Sequence, residues 1–120
     1  MKTVLIVEDQ IEFRAIHSHF LQHHGYRVLS EDNGATGVRT AREQKPDLIL
    51  MDFSIPGLDG VSATEQLKSD SATCDIPVIL ITAHTYGAVG RRAKEAGCDG
   101  FLAKPVDPAR VLREVRQHIG

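Results

Sequence analysis

The chain has 120 residues, 42% hydrophobic and 25% charged, the balance of one soluble globular domain, which excludes a disordered chain. Fourteen Lys and Arg against sixteen Asp and Glu leave a net charge of -2, so the basic excess of a broad nucleic-acid surface is missing. No apolar run approaches the ~18 residues of a membrane span, and Cys74 and Cys98 form no CxxC pair, which fits a reducing, cytoplasmic compartment.

Thr3 to Val7 is a short apolar run and reads as the first strand. A helix follows, with Phe13, Ile16 and Phe20 at spacings of three and four as its apolar face. Arg27 to Glu31 is more polar and reads as an edge strand. Ala35 to Gln44 is helical, closed by Lys45 and Pro46. Leu48 to Met51 is the most apolar strand, and a third helix runs from near Asp59 to Lys68. Ser69 to Ile76 reads as a surface loop before the strand Pro77 to Ile81. Tyr86 to Ala96 forms a fourth helix stopped by Gly97, and Gly100 to Ala103 a weaker fifth strand. Asp107 caps the last helix, Pro108 occupies its first turn, and Val111, Leu112, Val115 and Ile119 form its stripe. The order is β-α five times. It predicts one α/β domain with a parallel sheet covered by helices on both faces.

Ligands of open α/β sheets bind outside the carboxyl ends of the strands. The first strand runs into Glu8 and Asp9, the third ends at Asp52, the fourth at Thr82, and the fifth leads to Lys104 and Pro105. Four strands thus deliver three carboxylates, a hydroxyl and an ammonium to one edge. Two like charges ~4 Å apart repel by about 4 kcal/mol at an effective dielectric of 20, so a cation belongs among the acids. Oxygen donors without Cys or His point to Mg²⁺. The ammonium and hydroxyl suit phosphoryl oxygens, so the edge reads as a site for phosphoryl chemistry on a carboxylate.

The Glu8–Asp9 pair, Leu50-Met51-Asp52, Pro56-Gly57-Leu58-Asp59-Gly60, Thr82-Ala83 and Lys104-Pro105, in this order, resemble the CheY-like receiver domain of two-component response regulators. The resemblance spans the chain and implies a flavodoxin-like (βα)5 doubly wound fold with strand order 2-1-3-4-5. It implies that residues 1–120 form a single receiver domain with no attached output domain, acting alone or as part of a longer chain. Asp52 would accept a phosphoryl group from a phosphohistidine of a sensor kinase or phosphotransfer protein. Asp9, Asp52 and the backbone carbonyl of Ser54 would hold Mg²⁺, with Glu8 assisting through water. Lys104 would pair with Asp52 and later with the phosphoryl oxygens, and its bond to Pro105 would be cis. Thr82 and Phe101 would be the switch pair, repacking to alter a protein-binding face of the fourth helix, fifth strand and fifth helix. Ser54 and His84 would tune the lifetime of the phosphoryl group. The resemblance implies a bacterial signalling protein rather than an enzyme, its only catalysis being its own phosphorylation and dephosphorylation. Its partners would be a kinase and a protein effector, with no nucleic acid or membrane. It would be a monomer or a phosphorylation-dependent homodimer.

Three other readings compete. A flavodoxin-like cofactor binder would place phosphate-cradling Gly, Ser or Thr after the first strand, where Glu8 and Asp9 repel phosphate. A phosphatase with an aspartyl nucleophile would need an Asp-x-Asp motif there. A degenerate receiver acting only as an interaction module would lack some of the key residues, all of which are present. His17, His19, His23 and His24 crowd the first helix and read as a solvated or partner-docking face.

Overall fold

Three of the five apolar runs are buried on both faces of one sheet, which explains why they lack period-two alternation. In a computed structural model, which describes residues 1–83 and 88–120, ten elements alternate strictly. They are β1 (Thr3–Val7), α1 (Ile11–His23), β2 (Arg27–Glu31), α2 (Gly34–Gln44), β3 (Leu48–Asp52), α3 (Gly60–Ser69), β4 (Val78–Thr82), α4 (Ala88–Ala96), β5 (Gly100–Ala103) and α5 (Pro108–Ile119). The strands are parallel in the order β2-β1-β3-β4-β5, the doubly wound arrangement expected. The start anticipated for the fourth helix, Tyr86, lies outside the described residues, as does His84. Among the described residues, no helix is long and apolar enough to cross a membrane.

Two apolar layers hold the sheet. Leu5, Ile49, Met51 and Leu80 point toward α2, α3 and α4, where Val38, Val61, Leu67 and Ala93 meet them. Val4, Ile6, Leu50 and Ile79 point the other way, toward Leu21 of α1 and Val111, Leu112 and Val115 of α5. Fully burying one such side chain contributes about 1.5–3 kcal/mol, so β1, β3 and β4 anchor the fold. Short polar caps set where the helices begin. Asn33, Asp59 and Asp107 accept from the backbone N–H of Thr36, Ser62 and Arg110 at 2.9, 2.9 and 2.8 Å. The cap at Asp59 holds its carboxyl below the usual carboxylate range, chiefly through the Ser62 N–H.

The first helix departs from expectation. The spacing places Ile16 on the apolar face, yet it is 55% exposed, whereas His17, expected on a solvated or partner-docking face, is 3% exposed. Phe13, His17, Phe20 and Leu21 are the residues turned toward the second layer or into its edge. Ile16 lies about 100° around the helix from His17 and misses that face. Counting histidine as polar moves the apparent stripe toward Ile16, whereas the imidazole packs as an aromatic ring.

Burial holds the His17 imidazole below its ordinary value of 6.5, with Asp107 opposing and Lys104 reinforcing the shift. As pH falls through 6.5 the unfolded chain takes up this proton first. The contribution is therefore full above 6.5 and declines below it. His17→Leu is expected to flatten that decline between pH 6.5 and about 5, above the range where most carboxylates titrate. Denaturant midpoints across the interval check this, and parallel wild-type and variant curves would contradict it.

Candidate functional site

Strand register brings the polar residues together. Val7 pairs with Met51, so the residues that follow, Glu8 and Asp52, emerge side by side at the carboxyl edge. Asp52 pairs with Ile81 and Thr82 with Ala103, which carries Thr82 and Lys104 to the same edge. The Lys104 N–H donates to the Thr82 carbonyl at 2.8 Å, tying the fifth strand's exit to the fourth. The Lys104–Pro105 bond is cis, as the resemblance implied.

Glu8, Asp9 and Asp52 each offer a carboxylate oxygen, and these atoms lie within 4.8 Å of one another. Glu8 and Asp52 are buried while Asp9 is exposed, so the cluster opens to solvent on the Asp9 side. Lys104 closes the buried side: its Nζ lies 3.0 Å from Glu8 Oε1 and 3.4 Å from Asp52 Oδ2. Burial lowers the Lys104 pKa, but the hydrogen bond to Glu8 and the charges of Asp52 and Glu8 outweigh that and hold it above its ordinary value. The ammonium therefore stays charged at neutral pH.

The expected pairing of Lys104 with Asp52 is present, but the shorter contact is with Glu8. Glu8 is 1% exposed, and a carboxylate so enclosed requires a partner. Its chain neighbours hold it as well. Oε2 accepts from the Gln10 N–H at 3.2 Å, and its backbone carbonyl accepts from Arg14 Nη1 at 2.7 Å.

Thr82 is buried at this edge. Ser54 is exposed in the 53–59 segment between β3 and α3. Phe101 is half-buried and packs on the layer that includes α3 and α4. Phe13 reads from the sequence only as part of the apolar face of α1, not as a neighbour of the site, and Arg14 carries no sequence signal at all. The signal that could have found Phe13 is its spacing of four from His17, which stacks the two rings with centroids 4.0 Å apart.

The family model of the response regulator receiver domain matches residues 4–116. Protein PilH of Pseudomonas aeruginosa is 39% identical over 115 residues, covering 96% of this chain and 95% of its own. Chemotaxis protein CheY4 of Vibrio cholerae has the same fold, with a TM-score of 0.93 and 28% identity over 99% of both chains. The receiver domain of a Pseudomonas aeruginosa sensor histidine kinase, solved with a magnesium ion coordinated in its active site cleft, has a TM-score of 0.91. It is 34% identical over 99% of this chain and 98% of that one. A match that begins in β1 and ends within α5 takes in every residue of the acidic edge, and the chain belongs to the response regulator receiver family of two-component signalling.

Proposed function

We propose that the domain is a phosphorylation-driven switch in which Asp52 is the phosphoacceptor. The observation that carries this reading is the placement of Asp52 within 4.8 Å of two other carboxylates and 3.4 Å from an ammonium. A buried carboxylate so placed is a nucleophile whose product has positive partners waiting. One Asp52 carboxylate oxygen attacks the phosphorus of a phosphohistidine on a sensor kinase or phosphotransfer protein. The P–N bond breaks, the imidazole leaves, and an acyl phosphate remains.

The donor set fits Mg²⁺. It consists of oxygens alone, within a distance close to the span of about 4 Å across an octahedral magnesium. Asp9, Asp52 and Glu8, the last directly or through water, would hold it with the Ser54 backbone carbonyl. When bound, the ion neutralises charge on the transferring group. Lys104 pairs with the phosphoryl oxygens, and the Thr82 hydroxyl turns toward them. Phe101 then repacks, and the face formed by α4, β5 and α5 presents itself differently to a protein effector or a second copy. The added charge biases a two-state element, so the response is a population shift. Ser54 and His84 are assigned to tuning the phosphoryl lifetime, and the chemistry is the domain's own modification rather than turnover of a separate substrate. Acids after β1, where a cofactor's phosphate would sit, weigh against the flavodoxin-like alternative.

Incubation with acetyl phosphate and Mg²⁺ is expected to add one phosphoryl group, read by intact mass. Chelating the metal is expected to slow the modification by about a hundredfold. No modification of the wild type, or equal rates with and without chelator, would defeat the proposal.

A further inference from the structure

Lys104 performs its task with a compact ammonium on a flexible four-carbon stem. The carboxylates of Glu8 and Asp52 hold the charged tip and make no contact that fixes the stem's direction by itself. A third contact is present. The face of the Phe13 ring lies with its centroid 5.0 Å from Lys104 Nζ, inside the range of about 6 Å over which a ring face attracts a cation. Phe13 and Lys104 line one recess of about 390 Å³ with Gln10, Ala83, Pro105 and Val106, beside the acidic edge. His17, one helical turn on, packs against Phe13 with ring centroids 4.0 Å apart and a tilt of 39°.

We propose that Phe13 is a positioning residue for Lys104, its ring face seating the ammonium and His17 backing the ring. His17 suits that part. It is 3% exposed, its Nδ1 has no hydrogen-bond partner among the described residues, and its ring packs on Phe13. Burial keeps the imidazole neutral near pH 7, and a neutral ring adds no second positive charge behind Lys104. The arrangement also suits motion. When a phosphoryl group forms on Asp52, the ammonium must shift from carboxylate to phosphoryl oxygens. A ring face attracts it without demanding one direction, so it can pivot without losing its seat. The functional half of this inference rests on Asp52 being the phosphoacceptor; the seating does not.

Side-chain NMR of the unmodified protein, with neither Mg²⁺ nor phosphoryl donor, tests the seating directly. In the wild type the two Lys104 ε-methylene protons are expected to be distinct and shifted upfield by the ring. In Phe13→Leu they are expected to merge toward one averaged resonance, and Phe13→Tyr is expected to restore the separation. Should Phe13→Leu fold poorly, a trifluorinated phenylalanine at position 13 keeps the shape and weakens the ring face. It is expected to loosen Lys104 in the same sense. Distinct Lys104 resonances persisting in the leucine or fluorinated variant, or averaged ones in the wild type, would overturn the proposal. Phosphorylation of Phe13→Leu by acetyl phosphate is expected to slow by about fivefold, with the tyrosine variant rescuing it. An unchanged rate beside loosened resonances would overturn the positioning role. Absence of any modification in the wild type would strike the phosphoacceptor reading and leave the NMR result standing.

Discussion

Replacing Asp52 with asparagine is expected to abolish modification by acetyl phosphate while leaving the fold intact. Asparagine has nearly the same shape, and the amide is not a nucleophile for phosphorus. Asp52 is 5% exposed and lies among Glu8, Asp9 and Lys104, so its charge both repels two acids and attracts one ammonium. Removing it relieves the repulsion, and Lys104 keeps its shorter contact with Glu8. The half-buried ammonium is therefore not stranded, and no large destabilisation follows. Relief of about 1 kcal/mol would raise the melting midpoint by about 4 °C. Intact mass and thermal unfolding of the two proteins, run side by side, separate lost chemistry from lost fold. Equal phosphoryl incorporation in Asp52→Asn would move the acceptor to another residue.

Strands buried on both faces announce themselves because nearly every residue in them is apolar. Thr3–Val7 and Leu48–Met51 were legible from their apolar runs, with β3 extending one residue further to Asp52, and the polar Arg27–Glu31 was legible as an edge. Helix α1 was not. Its buried face includes a histidine, whose one-letter hydropathy conceals an aromatic ring that packs on Phe13. Local patterning assigns a residue by its average behaviour, and His17 is an exception to that average.

The acids were visible for a different reason. Burying Glu8 and Asp52 at strand ends is costly, so their appearance directly after apolar runs already pointed to a site. Which acid Lys104 approaches more closely was not visible. That depends on how far Glu8 lies beneath the surface relative to Asp52, a property of the folded edge rather than of spacing. The Phe13 contact was hidden likewise, because it joins α1 to the exit of β5 and no local pattern relates them.

Gly34→Ala is expected to be among the most damaging substitutions outside the acids, though Gly34 carries no chemistry. It opens α2, and a Cβ there would lie 1.8 Å from the Leu58 carbonyl oxygen and 2.8 Å from its carbon. Both are backbone atoms and cannot swing aside as a side chain would. They belong to the 53–59 segment, which follows Asp52 and carries Ser54; the Gly34 N–H also donates to the Pro56 carbonyl at 3.5 Å. At the segment's far end Gly60 is also confined, its added Cβ clashing with the Asp52 carbonyl oxygen, again a backbone atom. The segment is thus held between two glycines, and displacing it moves the proposed Ser54 ligand relative to Asp52. Overpacking of this kind is expected to cost about 3 kcal/mol. Gly25→Ala provides the contrast, since φ is +93° but nothing lies within 4 Å of the added carbon. Its cost is backbone strain alone, about 1 kcal/mol, at a turn remote from the acids. Denaturant midpoints should therefore fall much further for Gly34→Ala, and only that variant should also take up phosphoryl groups more slowly while still folded. Equal stabilities and equal rates for the two would show that the 53–59 segment yields freely and that its contact with α2 does not place the site.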